Sequence, residues 1–263
     1  MDINSIIAPV LSIGGLGIIF GGILGFAAQK FKVKQDPKIP LIRECLPGAN
    51  CGGCGFAGCD AFAQSVAEKK AKVNGCPVGG AAVAEKIANI MGIENTASVK
   101  MTAFVKCKGN CTVSNSKYEY YGINDCKMES ALANGSKSCS YGCLGDGTCV
   151  KACNFGALSI VDGVAYVDST KCTACGQCVS ACPKNLIELV PFENKVRVAC
   201  NSKDNGKTVK ANCSVGCIGC KLCERNCEFN AVTVENFLAK IDYSKCTQCG
   251  VCAEKCPAKA IIK

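Results

Sequence analysis

Histidine and tryptophan are both absent from this chain of 263 residues. Without histidine, the chain cannot supply a His-ligated haem, a Rieske-type cluster or the side chain most often used to shuttle protons. No Walker loop is present, no G-x-G-x-x-G follows a strand, and no nucleophile stands beside a base. We therefore expect no haem, no flavin or NAD bound by this chain, and no catalytic residue in it.

Cysteine, by contrast, is abundant, with 26 copies in the chain. Such a density is typical of a disulfide scaffold or of a metal protein. Disulfide frameworks belong to small secreted domains, whereas tight C-x2-C runs indicate metal sites in reducing compartments. Zinc held by four thiolates remains an alternative, but zinc does not require three cysteines at i, i+3 and i+6 followed by Cys-Pro. The spacing described next therefore favours iron.

Two runs in the C-terminal half have the spacing C-x2-C-x2-C-x3-C-P, which is typical of proteins that bind 4Fe-4S clusters. In such runs the first three cysteines bind one cluster and the fourth reaches the neighbouring cluster. The cysteines of the two runs are Cys172, Cys175, Cys178 and Cys182, and Cys246, Cys249, Cys252 and Cys256. Each run therefore predicts a second cluster close by.

The two runs belong to an internal duplication with an offset of 74 positions, which predicts two ferredoxin-like modules at 136–199 and 200–263. Asp146 occupies the position that matches Cys220, so we expect Cys139 to replace the missing thiolate in module 1. The four predicted ligand sets are Cys139, Cys143, Cys149 and Cys182; Cys172, Cys175, Cys178 and Cys153; Cys217, Cys220, Cys223 and Cys256; and Cys246, Cys249, Cys252 and Cys227. Short strands are expected at 157–161 and 164–167, joined by a turn at Asp162 and Gly163.

A different cysteine run predicts a one-cluster domain at 30–95. Its ligands would be Cys51, Cys54, Cys59 and Cys76. Glycines within the run let the backbone turn tightly around an anionic cluster. We expect helices at 62–71 and 81–91 from the spacing of apolar residues. A zinc ribbon is the alternative for this run.

Six cysteines remain outside these five sets: Cys45, Cys107, Cys111, Cys126, Cys200 and Cys213. Four of them would complete a sixth 4Fe-4S site at the junction of the two modules. We assign that site to Cys107, Cys126, Cys200 and Cys213, with 96–135 as a connecting segment. Cys111 could replace any of the four, and free buried thiols are the other alternative.

The first 29 residues predict a single transmembrane helix, because residues 6–28 carry no charge and exceed the length needed to cross a bilayer. The segment has no basic residue before it, unlike a signal peptide. Lys30, Lys32 and Lys34 follow it, which predicts an N-terminus outside and a body in the cytoplasm. The predicted fold class is thus α+β: a transmembrane helix, a small helical one-cluster domain and duplicated ferredoxin-like modules.

The body after residue 29 is basic. The whole chain has a net charge of +9, and the first 29 residues contain one acid and no base, which leaves +10 on the body. Basic surfaces attract acidic partners. No helix-turn-helix or aromatic-basic pattern points to nucleic acid. We expect a soluble acidic ferredoxin as the partner.

The order of parts, with LPGANCGGCGFAGC at 46–59 followed by two ferredoxin modules, resembles the B subunit of the Rnf complex. Rnf is a membrane-bound ferredoxin:NAD oxidoreductase that pumps sodium ions or protons across the inner (cytoplasmic) membrane. The resemblance implies that the chain accepts electrons from ferredoxin and passes them to other membrane and peripheral subunits. The proline usual after the fourth cysteine is missing after Cys153 and Cys227.

Two other functions compete with this one. A relay subunit of a hydrogenase, corrinoid or disulfide-reductase enzyme would contain similar domains, and a cysteine-rich metal-storage protein would bind zinc. For the Rnf function, we expect electrons to enter through the ferredoxin modules and to leave through the Cys51 domain. The segment 31–44 would be a linker that lets this domain swing.

Overall fold

A computed structural model describes residues 3–30, 36–94 and 99–263, except the side chains of residues 3–12 and 28. These residues form α-helices and short two-stranded antiparallel sheets, in agreement with the predicted α+β class. The elements group into an N-terminal helix, a helical domain and two sheet-containing modules. Three clusters of buried side chains correspond to the helical domain and the two modules.

The N-terminal segment forms one helix, α1 (Ile3–Lys30). Large apolar side chains in its C-terminal half, such as Ile18 and Leu24, are exposed. The expected membrane-spanning helix is not confirmed: in the part of the chain that is described, no helix combines the length and the apolar character that crossing a membrane requires. Lys32 and Lys34 lie outside the described residues.

The one-cluster domain consists of three helices: α2 (Lys38–Cys45), α3 (Cys59–Ala67) and α4 (Gly80–Met91). Ile42, Phe62 and Ile87 each come from a different helix and are at most 1% exposed, so they form the centre of its core. Helices were expected at 62–71 and 81–91, close to α3 and α4. The expected linker at 31–44 differs from the structure, because burial of Ile42 makes its C-terminal part a helix of the domain. Residues 31–35 lie outside the described residues.

Module 1 begins earlier than expected. Strand β1 (Met101–Val105) lies in the predicted connecting segment and pairs with β4 (Ile187–Pro191). Between them the chain forms α5 (Cys126–Ala131), α6 (Thr148–Lys151), the hairpin β2 (Leu158–Val161) and β3 (Val164–Val167), and α7 (Gln177–Ala181). The hairpin turns at Asp162 and Gly163, both with positive φ, as a two-residue turn requires.

Module 2 repeats this plan. It contains β5 (Arg197–Val198), α8 (Gly206–Asn212), α9 (Leu222–Arg225), β6 (Val232–Glu235), β7 (Leu238–Ile241), α10 (Val251–Glu254) and β8 (Ile261–Ile262). The hairpin β6–β7 lies 74 positions after β2–β3, and β5 pairs with β8 as β1 pairs with β4. The two modules therefore share one arrangement of hairpin, short helices and flanking strand pair.

The two modules are joined through the segment that follows β1. Ser114 forms an antiparallel bridge with Cys213, and the Ser214 amide donates a hydrogen bond to the Val113 carbonyl over 3.0 Å. The Asn115 side chain also donates to the carbonyl of Ala211 over 2.7 Å. These contacts bring Cys213 of module 2 close to module 1.

Candidate functional site

One cavity in module 1 is lined by the predicted set Cys153, Cys172, Cys175 and Cys178. Its walls are otherwise mainly apolar and include Ala157 and Leu158. Backbone amides point at the sulfur atoms: the Ala103 amide donates to Cys172 Sγ over 3.3 Å, and the Ala157 amide donates to Cys153 Sγ over 3.4 Å. The structure thus brings together this set as the sequence predicted it.

The second cavity of module 1 differs from the prediction. It is lined by Cys126, Cys143, Cys149 and Cys182, so Cys126 stands where Cys139 was expected. Cys139 was expected there because Asp146 occupies the position that matches Cys220. The structure instead delivers Cys126 from helix α5, which belongs to a segment without a counterpart in module 2.

Cys126 is held at this cavity by several hydrogen bonds. Its amide donates to Thr148 Oγ1 over 2.7 Å, and Asp125 caps α5 by accepting from the Lys127 amide over 2.8 Å. The buried Glu129 accepts from the Ser136 amide over 2.8 Å. Burial, together with the neighbouring Glu129, raises the pKa of Asp146 to about 7. Asp146, at the position of Cys220, therefore lies in an acidic pair beside α5.

Module 2 contains both of its predicted sets. Cys217, Cys220, Cys223 and Cys256 line one cavity with mainly apolar walls. The second set surrounds Cys252: burial raises the pKa of this thiol, and the nearby thiols Cys246, Cys249 and Cys227 raise it further. The Ala231 amide donates to Cys227 Sγ over 3.4 Å, as the Ala157 amide does to Cys153.

A further cavity lies at the junction of the two modules. It is lined by four cysteines: Cys107, Cys139, Cys200 and Cys213. Three of them were predicted for a sixth site, but Cys139 takes the place assigned to Cys126. Cys139 and Cys213 are 74 positions apart, and Cys107 follows β1 as Cys200 follows β5, so each module contributes an equivalent pair.

The central cavity is also electrostatically distinct. Burial raises the pKa of Cys200 to about 11, and Cys107 and Cys213 add to the effect of burial on the pKa of Cys139. The buried Lys137 donates to the Gly109 carbonyl over 2.7 Å, and its charge lowers the pKa of Cys213 against the effect of burial. A buried cation therefore lies beside these thiols, where thiolates would be stabilised.

The one-cluster domain brings its cysteines together around a glycine-rich loop. Burial raises the pKa of Cys76, and the thiols of Cys54 and Cys59 raise it further. The Gly79 amide donates to Cys76 Sγ over 3.4 Å, and Asn50 Oδ1 accepts from the Cys59 amide over 2.8 Å. Cys51 is three residues before Cys54 in the same loop.

All 26 cysteines are free thiols, so the structure does not form a disulfide framework. In residues 3–30, 36–94 and 99–263, no three Cys, Asp or Glu side chains converge on a point where a single metal ion would be held. Thiols that line a common apolar cavity, with amides donating to sulfur, match what a 4Fe-4S cluster needs from its donors. Cys45 packs in the helical core, and neither Cys45 nor Cys111 lines any of the four cavities described above.

Three family models match the chain. A model for an Fe-S cluster matches residues 46–78, a 4Fe-4S binding domain matches 165–188, and a 4Fe-4S dicluster domain matches 216–260. Each match covers cysteines of the sets described above. Iron–sulfur domains are therefore present in all three parts of the body.

Curated relatives match over nearly the whole chain. The B subunit of the Na(+)-translocating ferredoxin:NAD(+) oxidoreductase complex of Acetobacterium woodii is 48% identical over 260 residues, covering 98% of this chain and 78% of that protein. The B subunit of the ion-translocating oxidoreductase complex of Methanosarcina acetivorans is 48% identical over 257 residues, 97% of each chain. The B subunit of the proton-translocating ferredoxin:NAD(+) oxidoreductase complex of Clostridium ljungdahlii is 43% identical over 262 residues, 98% of this chain and 92% of its own.

These identities confirm the resemblance seen in the motif at 46–59 and in the order of the domains. They extend over the N-terminal segment, the one-cluster domain and both modules. The chain therefore belongs to the B-subunit family of the ion-translocating oxidoreductase (Rnf) complexes.

Proposed function

We propose that this chain is the electron-transfer subunit of an ion-translocating ferredoxin:NAD oxidoreductase. It accepts electrons from reduced ferredoxin and relays them to partner subunits of the complex. The observation that carries the proposal is the presence, in one family member, of five sets of four neighbouring cysteines and of Cys54, Cys59 and Cys76 together in the one-cluster domain. The two named relatives that act on ferredoxin translocate sodium ions in one case and protons in the other, so the ion is left open here.

Six sets would hold 4Fe-4S clusters. They are Cys51, Cys54, Cys59 and Cys76; Cys126, Cys143, Cys149 and Cys182; Cys153, Cys172, Cys175 and Cys178; Cys107, Cys139, Cys200 and Cys213; Cys217, Cys220, Cys223 and Cys256; and Cys227, Cys246, Cys249 and Cys252. Each cluster, when bound, supplies one-electron redox chemistry. The chain's own contribution is to exclude water, donate amide hydrogen bonds to sulfur and fix the order of the sites.

Contacts between cysteines of different sets support one continuous row of sites. The Cys143 amide donates to Cys107 Sγ over 3.4 Å, and the Cys217 amide donates to Cys200 Sγ over 3.3 Å. The central set therefore touches one set of each module. Within module 1 the thiol of Cys178 adds to the raised pKa of Cys149, so the two sets of that module are also neighbours.

We further propose that α1 attaches the chain to the inner (cytoplasmic) membrane, with the body on the cytoplasmic side and the N-terminus outside. Exposed apolar side chains on α1, including Ile18, Leu24 and Phe26, support this role, and so does the lysine that ends the helix. Protease protection of an N-terminal tag in sealed vesicles tests it. Digestion of the tag from the cytoplasmic side would overturn the topology.

Iron and acid-labile sulfide analysis of the purified chain tests the cofactor content. Six sites predict about 24 iron atoms per chain, four for each cluster, and a brown protein that absorbs visible light. About 20 iron atoms would remove the central site, and about 8 would contradict the duplicated modules. If the purified protein were colourless and contained zinc, metal storage would be the function and electron transfer would be ruled out.

A further inference from the structure

The loop 172–178 of module 1 and the loop 246–252 of module 2 are equivalent in sequence, but among the described residues only the first is contacted by the one-cluster domain. Gln177 Nε2 donates to the carbonyl of Cys51, and a Cβ at Gly53 would lie 2.7 Å from the carbonyl oxygen of Cys175. The loop of the one-cluster domain thus lies directly on the loop of module 1. Within this chain, the one-cluster domain thus already docks on the cysteine loop of a ferredoxin-like module.

In module 2 no other domain covers the equivalent surface among the described residues, and Lys263 of the same module lies on it. Val251 replaces Gln177 and is 36% exposed, and Cys249 is exposed whereas Cys175 is only half-buried. Lys263 Nζ donates to the carbonyl of Cys249 over 3.2 Å, so a cation lies on this loop. A predicted cluster ligand therefore lies at the surface with positive charge beside it.

The two loops also differ in charge. Residues 242–263 contain four exposed lysines and two acids, Asp242 and Glu254, whereas the equivalent residues 168–189 contain two lysines and two acids. Lys184 of the module 1 segment donates to the carbonyls of Asn134 and Ser140, and Lys263 of the module 2 segment donates to the carbonyl of Cys249, so the difference of two lysines between the segments remains. The four lysines of residues 242–263 are Lys245, Lys255, Lys259 and Lys263.

We propose that the surface formed by the loop 246–252 and these four lysines is the docking site for an acidic ferredoxin. The ferredoxin would place its own cluster loop on module 2, as the one-cluster domain places its loop on module 1. Complementary charge would steer the encounter. Each productive encounter oxidises the ferredoxin by one electron and reduces this chain by one electron, with no atom or proton transferred. The proposal depends on the function proposed above and locates its donor.

Lys245 and Lys171 provide a matched pair of variants. They occupy equivalent positions, each lies 3.8 Å from an aspartate three residues earlier, and their side chains are 61% and 63% exposed. Charge reversal of either lysine therefore makes the same local change, so only proximity to the docking surface distinguishes them. Because both are exposed, neither variant should disturb the fold, and iron content checks this.

The experiment measures binding of an oxidised acidic two-cluster ferredoxin to the iron-loaded chain by calorimetry, at low and at physiological salt. We expect Lys245→Glu to weaken binding about tenfold at low salt, and Lys171→Glu to change it less than about twofold. Lys259→Glu is a second variant on the docking surface and should also weaken binding. Equal effects of Lys171→Glu and Lys245→Glu, or no effect of either, would overturn the docking surface.

A separate measurement distinguishes this failure from failure of the proposed function. Reduced ferredoxin is mixed with the unaltered chain, and bleaching of the iron–sulfur absorbance is followed. If ferredoxin reduces the chain although both variants bind it normally, only the location is wrong. If ferredoxin neither binds nor reduces the unaltered chain, both the function and the docking surface are wrong.

Discussion

The side-chain amide of Gln177 donates a hydrogen bond to the backbone carbonyl of Cys51 and so connects module 1 with the one-cluster domain. The backbones of the two loops pack closely beside this hydrogen bond, since a Cβ on Gly53 would lie 3.0 Å from Cys175 Cα and 3.0 Å from Pro77 Cγ. Two predicted ligand loops therefore touch without an intervening element. This contact places the Cys51 site next to a site of module 1.

Replacement of Gln177 by valine should loosen this contact. The variant removes the hydrogen bond to Cys51 and introduces the residue that module 2 has at the same position, Val251. We expect faster hydrogen exchange of the amides at 50–56 in the iron-loaded protein, because local opening of the docked loop becomes easier. Val251→Gln is the matched control and should leave this exchange unchanged. Equal exchange in Gln177→Val and the unaltered protein would show that the side chain does not hold the domain.

The assignment of Cys126 predicts a specific rescue. Cys126→Ala should remove one cluster, which lowers the iron content by about four atoms per chain. Asp146 lies at the position of Cys220, so Asp146→Cys restores the complete C-x2-C-x2-C loop of module 2 in module 1. We expect the double variant to regain the lost iron, as measured by iron and sulfide analysis.

Cys139→Ala is the control for this rescue. It should also lower the iron content by about four atoms, but Asp146→Cys should not restore them, because Cys139 lines the central cavity instead. If Asp146→Cys rescued Cys139→Ala and left Cys126→Ala unchanged, the ligand set expected from the sequence would be the right one.

Lys137 should set the redox potential of the central site. Its charge is buried beside Cys213 and Cys143, and it lowers the pKa of both thiols against the effect of burial. Removal of a cation makes an anionic cluster harder to reduce. At an effective dielectric constant near 20, a charge 8–16 Å away contributes roughly 1–2 kcal/mol, and about 59 mV corresponds to roughly 1.4 kcal/mol.

We therefore expect Lys137→Met to lower one midpoint potential by roughly 40–85 mV. The measurement is a redox titration followed by electron paramagnetic resonance. Lys137→Arg keeps the charge and should leave the potentials near their original values. Unchanged potentials in Lys137→Met would indicate that the lysine only supports the fold through its bond to Gly109.

Much of the body could be predicted from the 74-residue repeat, because equivalent cysteines and hairpins follow from one offset. Cys126 and Cys139 line each other's expected cavities for a physical reason. Cys107 and Cys139 are 32 positions apart, whereas Cys200 and Cys213 are 13 apart, so module 1 carries an insertion that delivers Cys126. The offset equates Cys139 with Cys213 and so indicates the central cavity for Cys139, but it also equates Cys126 with Cys200, which the insertion makes misleading. A sequence repeat identifies equivalent positions, but the residues that an insertion contacts are known only from the folded structure.

The N-terminal part was predicted less well. Apolar spacing placed α3 and α4 within a few residues, since each helix buries one face in a small core. Helix α2 was missed because its eight residues contain Pro40 and only Ile42 is fully buried. The contact of Gln177 with Cys51 spans 126 positions and leaves no periodic signal in the sequence. Contacts between domains therefore could not be predicted from the sequence.

The last prediction concerns the order in which electrons pass through the chain. In the proposed row of sites, the loop of module 1 that the Cys51 domain contacts and the loop 246–252 of module 2 lie towards opposite ends. If ferredoxin reacts at module 2, the Cys51 domain delivers electrons to partner subunits.

Cys54→Ala should then remove about four irons and stop electron delivery to the complex, while ferredoxin still bleaches the remaining clusters. Stopped-flow absorbance of the isolated chain and NAD reduction by the complex measure the two steps separately. Cys249→Ala should instead slow the first step, the reduction of the isolated chain by ferredoxin. If Cys54→Ala instead leaves the other clusters oxidised, electrons enter at the Cys51 domain and this order is reversed.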